Sequence, residues 1–338
     1  MVLAAAQPEK AVTPRTFSPK NQEQASKDFY AGMDYFTSSR FEKAYNKFLK
    51  VSKTEGIPVE EKNMSTYNAA LSLERMKKYS KALDLYNSIQ KNDKDKYYRI
   101  SACCHELKKW DCVLSGLKNW KDQSGSLSLV EEFEFRVRTG SAYVSLLSYK
   151  DGIPYLETAV KVFSEKQELL LTDATNKAYT KEKITALGLW ALDDLATAYK
   201  AMGQIVTIPN NDDEANQSFF NSLKNQVNLK AYYYLKAQEA YLQMVQLGDV
   251  KTASKGLFMI GDLYQDAYKV FLNTGIPQKI KDKKLEKEYS EELKTSLQPL
   301  LEKAKIAHNN NIALALKYKT KNEWIQKSKN ALEKMKEL

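Results

Sequence analysis

The 338-residue chain is poor in the residues that build reactive centres and sheet turns. It has two histidines, three cysteines, twelve glycines and eight prolines. The histidines, His105 and His308, are far apart, and there is no His-Glu-x-x-His, no Cys-x-x-Cys and no Walker or dinucleotide-type glycine loop. No cofactor or metal is therefore expected, and an enzyme would have to be assembled from carboxylates and lysines alone. Little Gly and Pro among long Ala-, Leu-, Lys-, Glu- and Tyr-rich segments leaves too few turns for a many-stranded protein, so the expected class is all-α. No run approaches the ~20 apolar residues that a membrane-spanning helix needs.

The cysteines, Cys103, Cys104 and Cys112, fall within one expected helical hairpin. Neighbours on a helix point to different faces, and an odd count leaves at least one thiol free, so buried thiols are expected rather than a disulfide framework. That usage leans towards a reducing compartment, while remaining compatible with an envelope protein that lacks disulfides. Cys104 and His105 do not form a catalytic pair, because adjacent helical residues sit about 100° apart.

Positive charge is in excess, with a formal net charge of +10 and a pI near 9.1. Such a balance favours an acidic partner: nucleic acid, anionic lipid headgroups or an acidic protein. From Gln278 to Leu338 there are 15 Lys, no Arg and 9 acidic residues, which gives +6. These lysines interleave with glutamates, as in Lys283-Lys284-Leu285-Glu286-Lys287-Glu288, the pattern of a solvated helix face rather than a phosphate track. Tyr232-Tyr233-Tyr234 spread around a helix and cannot form one stacking platform, so no nucleic-acid partner is expected and a nucleic-acid-binding repeat protein is the weakest reading.

Small and aromatic residues recur at fixed offsets. From a start at Ala25 they are Gly32, Tyr35, Phe41, Ala44, Phe48 and Val51; from Asn63 they are Ala70, Leu73, Tyr79, Ala82, Tyr86 and Ile89. From Lys94 come Ser101, Cys104, Trp110, Val113, Leu117 and Trp120, and from Phe133 come Gly140, Tyr143, Tyr149, Gly152, Leu156 and Ala159. The starts are 38, 31 and 39 residues apart. The small residues let paired helices approach and the aromatics fill the space between them. This pattern resembles the tetratricopeptide repeat (TPR) family, whose unit is a helix-turn-helix of ~34 residues. The resemblance implies a TPR-type α-solenoid acting as a protein-binding scaffold or adaptor, not an enzyme.

The expected organisation is a leader over 1–24, about four repeat units over 25–166, irregular helical repeats over 167–277 and a Lys-rich helical cap over 278–338. Within the third segment, Ile184 to Met202 resembles a first TPR helix, Pro209 and Asn210 to Glu214 form a polar excursion, and 234–264 is TPR-like, with Gly248 ending one helix and Val250 opening the next. The second helix of that unit is expected to run to Gly275-Ile276-Pro277. The cap should hold three helices, broken near Pro299 and near Thr320.

Positions 5, 9, 12 and 13 of a TPR unit face the concave groove. Here they include Phe29, Met33 and Phe36, then Tyr67, Leu71, Glu74 and Arg75, then Tyr98, Ala102, His105 and Glu106. TPR proteins that grip acidic tails use a clamp of Lys, Asn and Arg on that surface. Phe29, Met33, Tyr67 and Leu71 depart from it, and only Asn68, Arg75 and Arg99 could imitate it. The expected groove is therefore Phe29, Met33, Phe36, Tyr67, Leu71, Arg75, Tyr98, Arg99 and His105, holding an apolar-anchored peptide or helix. The alternative is that the leader or a nearby helix covers the stripe as ordinary core.

The segment Met1 to Pro8 resembles the tail of a secretory signal with an Ala-x-Ala-like cleavage site. A looser resemblance, carried by Ala253-x-x-Gly256, Ile260 to Tyr264, Pro299 with Ala304, and Asn322-x-Trp324, is to envelope TPR proteins of delta-proteobacteria. Together these imply a periplasmic or envelope-associated assembly factor, with no transmembrane segment of its own. A cytoplasmic adaptor or regulator is the alternative.

Overall fold

The computed structural model describes residues 22–173, 179–208, 217–273 and 283–336, without the side chains of 22, 217–221 and 223. Among these residues there are fourteen helices and no strand. In order they are α1 (Gln22–Thr37), α2 (Phe41–Ser52), α3 (Val59–Arg75), α4 (Tyr79–Ser88), α5 (Lys94–Glu106), α6 (Trp110–Ser124), α7 (Leu129–Ser145), α8 (Tyr149–Glu165), α9 (Gln167–Asp173), α10 (Lys181–Ile205), α11 (Gln217–Leu247), α12 (Val250–Leu272), α13 (Lys283–Lys317) and α14 (Glu323–Met335). The expected polar excursion at Pro209 to Glu214, the segment Gly275 to Pro277 and most of the expected leader lie outside the described residues. Gln22, Glu23 and Gln24, assigned to the leader, open α1.

The chain divides into two compact units, one of residues 1–147 with 161–186, the other of 148–160 with 187–338.

In the first unit each helix packs on the next from α1 to α7. The turns repeat one geometry. Ser39, Lys77 and Lys108 adopt φ of 58°, 58° and 56°, and the residue after each donates its N–H five residues back: Arg40 to Tyr35 O at 2.7 Å, Lys78 to Leu73 O and Lys109 to Cys104 O at 2.9 Å. This left-handed closure satisfies carbonyls that the helix end would orphan. Leu147 repeats the positive φ, at 62°, and all four residues stand fifteenth from the starts at 25, 63, 94 and 133.

The inward positions agree with that register. Phe48, Tyr86, Leu117 and Leu156 are fully buried, as are Ala44 and Ala82. Gly32 shows why a small residue is needed at the eighth position: a Cβ there would lie 2.8 Å from the Phe48 ring.

In the second unit, Gly248 closes α11 and Asp249 caps α12 by accepting from Thr252 N at 2.7 Å, as the sequence indicates for this break. The expected break at Pro299 is absent, because α13 continues through it to Lys317. An interior proline costs about 3 kcal/mol. Leu297, Leu300 and Leu301 around it pack with Tyr264, Tyr268, Ala304, Leu332 and Met335, and that burial offsets the cost. The break near Thr320 is present, with Asn322 capping α14 by accepting from Trp324 N and Ile325 N.

A neutral polar core joins α12, α13 and α14. His308, Asn311, Ser254 and Ser328 are fully buried. Ser254 donates to Asn311 Oδ1 at 2.6 Å, and Asn311 donates to Ser328 Oγ at 2.9 Å and to Trp324 O at 3.2 Å. His308 lies between Gln265 Nε2 at 2.9 Å and Ser328 Oγ at 3.1 Å. An amide nitrogen only donates, so His308 Nε2 accepts and its proton sits on Nδ1.

The cysteine expectation is corrected. Cys104 and Cys112 form a disulfide between α5 and α6, with Cα atoms 5.8 Å apart, while Cys103 remains a buried free thiol. Helical spacing separates Cys103 from Cys104, but it does not prevent Cys104 from meeting a cysteine across the hairpin.

Candidate functional site: a charged seam in the first unit

The apolar half of the expected groove is core. Phe29 and Leu71 are at most 1% exposed and Phe36 5% exposed, within one cluster that Met33 and Tyr67 cover in part. The aromatics of α2 take these positions: Phe29 meets Phe48 and Phe36 meets Phe41, each edge-to-face at 5.4 Å. Ala25, Phe29, Gly32 and Phe36 follow spacings of four, three and four, so they share one helix face. That face turns towards α2, and the assignment of Phe29, Phe36 and Leu71 to an open groove is corrected accordingly.

The polar half converges. Arg75 at the end of α3, Tyr98, Arg99 and His105 on α5, and Glu134 and Arg138 on α7 share a seam with Glu74, Tyr179 and Lys183. Glu134, with no exposure, accepts from Arg138 Nε at 2.6 Å, Tyr98 Oη at 3.0 Å and Lys183 Nζ at 3.1 Å. The guanidinium groups of Arg99 and Arg138 lie 5.6 and 5.3 Å from the centre of the Tyr98 ring. Glu74 accepts from Tyr86 Oη at 2.9 Å and pairs with Arg99 at 3.5 Å.

Titration separates the two carboxylates. Burial alone would raise Glu134, but Arg138 and Lys183, with hydrogen bonds from Tyr179 and Arg138, outweigh it and hold the group well below the usual carboxylate range. Burial lifts Glu74 to about 7, and the Tyr86 hydroxyl and Arg75 offset it only in part. Burial also draws Arg99 down to about 10 and His105 to about 4, in both cases with Arg138 adding repulsion. Arg75, Arg99, Arg138 and Lys183 thus converge on a seam that holds the Glu134 and Glu74 carboxyls, with Glu106 also acting on Glu74.

Glu134, Arg138, Tyr179 and Lys183 were not among the expected site residues. For Arg138 one signal was present: Asn68, Arg99 and Arg138 each stand sixth in their units, counting from 63, 94 and 133. All three are buried.

The same turn and the same register recur from repeat to repeat. The fold is TPR-like. No protein-family model matches the chain, and no curated protein matches it. Among solved structures, it is similar to a TPR repeats protein from Bacteroides fragilis NCTC 9343 at 15% identity, over 90% of this chain and 96% of the other, with a TM-score of 0.28. So loose a superposition carries no argument, and the assignment rests on the repeat geometry. The described residues hold no group of three His, Cys, Asp or Glu placed for a metal, and no helix among them is long and apolar enough to cross a membrane.

Proposed function

We propose that the chain is a non-enzymatic TPR-like scaffold or adaptor, and that the face of the first unit formed by α3, α5 and α7 receives an acidic group of a protein or peptide partner. The observation that carries this is the convergence of four cationic side chains, Arg75, Arg99, Arg138 and Lys183, on one buried seam. A partner carboxylate there would meet donors already held by buried contacts, so little side-chain entropy is lost on binding. The half-buried Tyr67 and Tyr98 supply aromatic surface beside it. An apolar anchor at Phe29, Phe36 or Leu71 forms no part of this reading.

Placement in a bacterial cell envelope is supported by the Cys104–Cys112 disulfide, a bond that persists in oxidising compartments, and by the Ala-rich start of the sequence. The test is affinity capture from the source organism with the wild type and with Arg75→Gln, a half-buried position. The expected result is a partner held by the wild type, released as salt is raised and lost from the variant. A partner held equally by both at all salt concentrations would overturn the reading.

A further inference from the structure

The single disulfide among the described residues is attached to the helix that carries the seam. We propose that the Cys104–Cys112 bond is a reducible clasp that fixes the end of α5, so that the order of the seam follows the redox poise of its surroundings. The proposal goes beyond partner binding and holds whatever the partner is.

Cys104 lies beside Cys103, and the Cys103 thiol hydrogen-bonds the Glu74 carboxyl, the same carboxyl that Tyr86 and Arg99 approach. One residue from the clasp the chain thus touches the seam, and one residue further His105 packs edge-to-face on Trp110 of α6 at 5.3 Å. The hairpin has other joints. A Cβ on Gly116 would lie 3.0 Å from Ser101 Cβ, and Tyr98 meets Trp120 edge-to-face at 5.2 Å. Opening the bond therefore loosens the last turn of α5 without separating α5 from α6.

Cys104 is fully buried and Cys112 half-buried, so an incoming thiolate reaches the Cys112 sulfur. With a dithiol reductant, the first thiolate attacks Cys112 Sγ, the S–S bond breaks, and Cys104 leaves as a thiolate that takes a proton from solvent. The reductant's second thiol then attacks the mixed disulfide and releases Cys112. Two electrons and two protons pass to the protein, and the reductant closes as its own cyclic disulfide. Cys103 does not compete, because burial pushes its thiol up and keeps it protonated.

The test is thiol counting with hydrogen exchange on the full chain, with and without dithiothreitol under native conditions. The untreated, denatured chain should show one free thiol and the treated chain three. Reduction should speed exchange across residues 99–107 by about tenfold, while α13 and α14 keep their rates. Cys112→Ser should reproduce the fast exchange without reductant. Three thiols in the untreated chain, a bond that survives native dithiothreitol, or reduction with unchanged exchange would each overturn the clasp.

Discussion

Each compact unit buries a polar centre, but the two centres are built on different principles. In the second unit the groups are neutral, and each is joined to a named partner: Ser254 to Asn311, Asn311 to Ser328 and Trp324, and His308 to Gln265 and Ser328. In the first unit the groups are ions, Glu134 with Arg138 and Lys183, and Glu74 with Arg99. A satisfied neutral network stabilises one packing of three helices. A buried ionic one pays a desolvation cost and is strongly destabilised when one partner is lost. The difference is the ground for proposing that a partner binds at the first unit.

The comparison breaks most visibly at Glu134. Its replacement by Ala leaves Arg138 and Lys183 buried without their carboxylate and should cost about 3–5 kcal/mol, measured by denaturant unfolding. In the second unit Asn311→Ala removes three hydrogen-bonded contacts between neutral groups and should cost less, about 1–3 kcal/mol. Equal losses would remove the distinction.

Acidity sharpens the contrast, because His308 and Glu74 slope in opposite directions. Burial draws His308 down to about 4, so the stability it contributes is complete above about 6.5, its ordinary value, and is lost as pH falls towards 4. Glu74 is raised to about 7, so its contribution is complete below its ordinary value of 4.5 and is lost as pH rises through 7. His105, also drawn down to about 4, slopes like His308 and partly masks Glu74 in the first unit. Melting curves from pH 4.5 to 7.5 should therefore show His308→Gln flattening the acid-side loss, and Glu74→Gln removing the loss on the neutral side. At the small end, Lys287→Ala removes a pair with Glu291 at 3.9 Å on an exposed face and should change stability by less than about 0.5 kcal/mol.

The repeat register was legible because small residues and aromatics at fixed offsets have one packing solution. The fifteenth-position turns and the buried Phe48, Tyr86 and Leu117 follow from it. Which flank of α1 meets α2 was not legible. Spacing places Phe29 and Phe36 on one face without saying which neighbour covers that face, so Phe36→Asp should unfold the hairpin, read as loss of the cooperative melt, rather than only abolish binding. The unbroken path through Pro299 was not legible because the cost of the proline is local while the leucines that offset it act through distant helices. The seam was half legible: Arg75, Tyr98 and His105 came from hairpin geometry and Arg99 from the comparison with a clamp, whereas Lys183 meets Glu134 across 49 residues of sequence that no short spacing links.

The most direct test of the central claim is isothermal titration of a Glu- and Asp-rich peptide, and of its Gln and Asn counterpart, into the full chain at low and high salt. The account predicts that the acidic peptide binds at least about tenfold more tightly at low salt, that the preference shrinks as salt screens it, and that Arg75→Gln abolishes it. Equal binding of both peptides at both salt concentrations would contradict it.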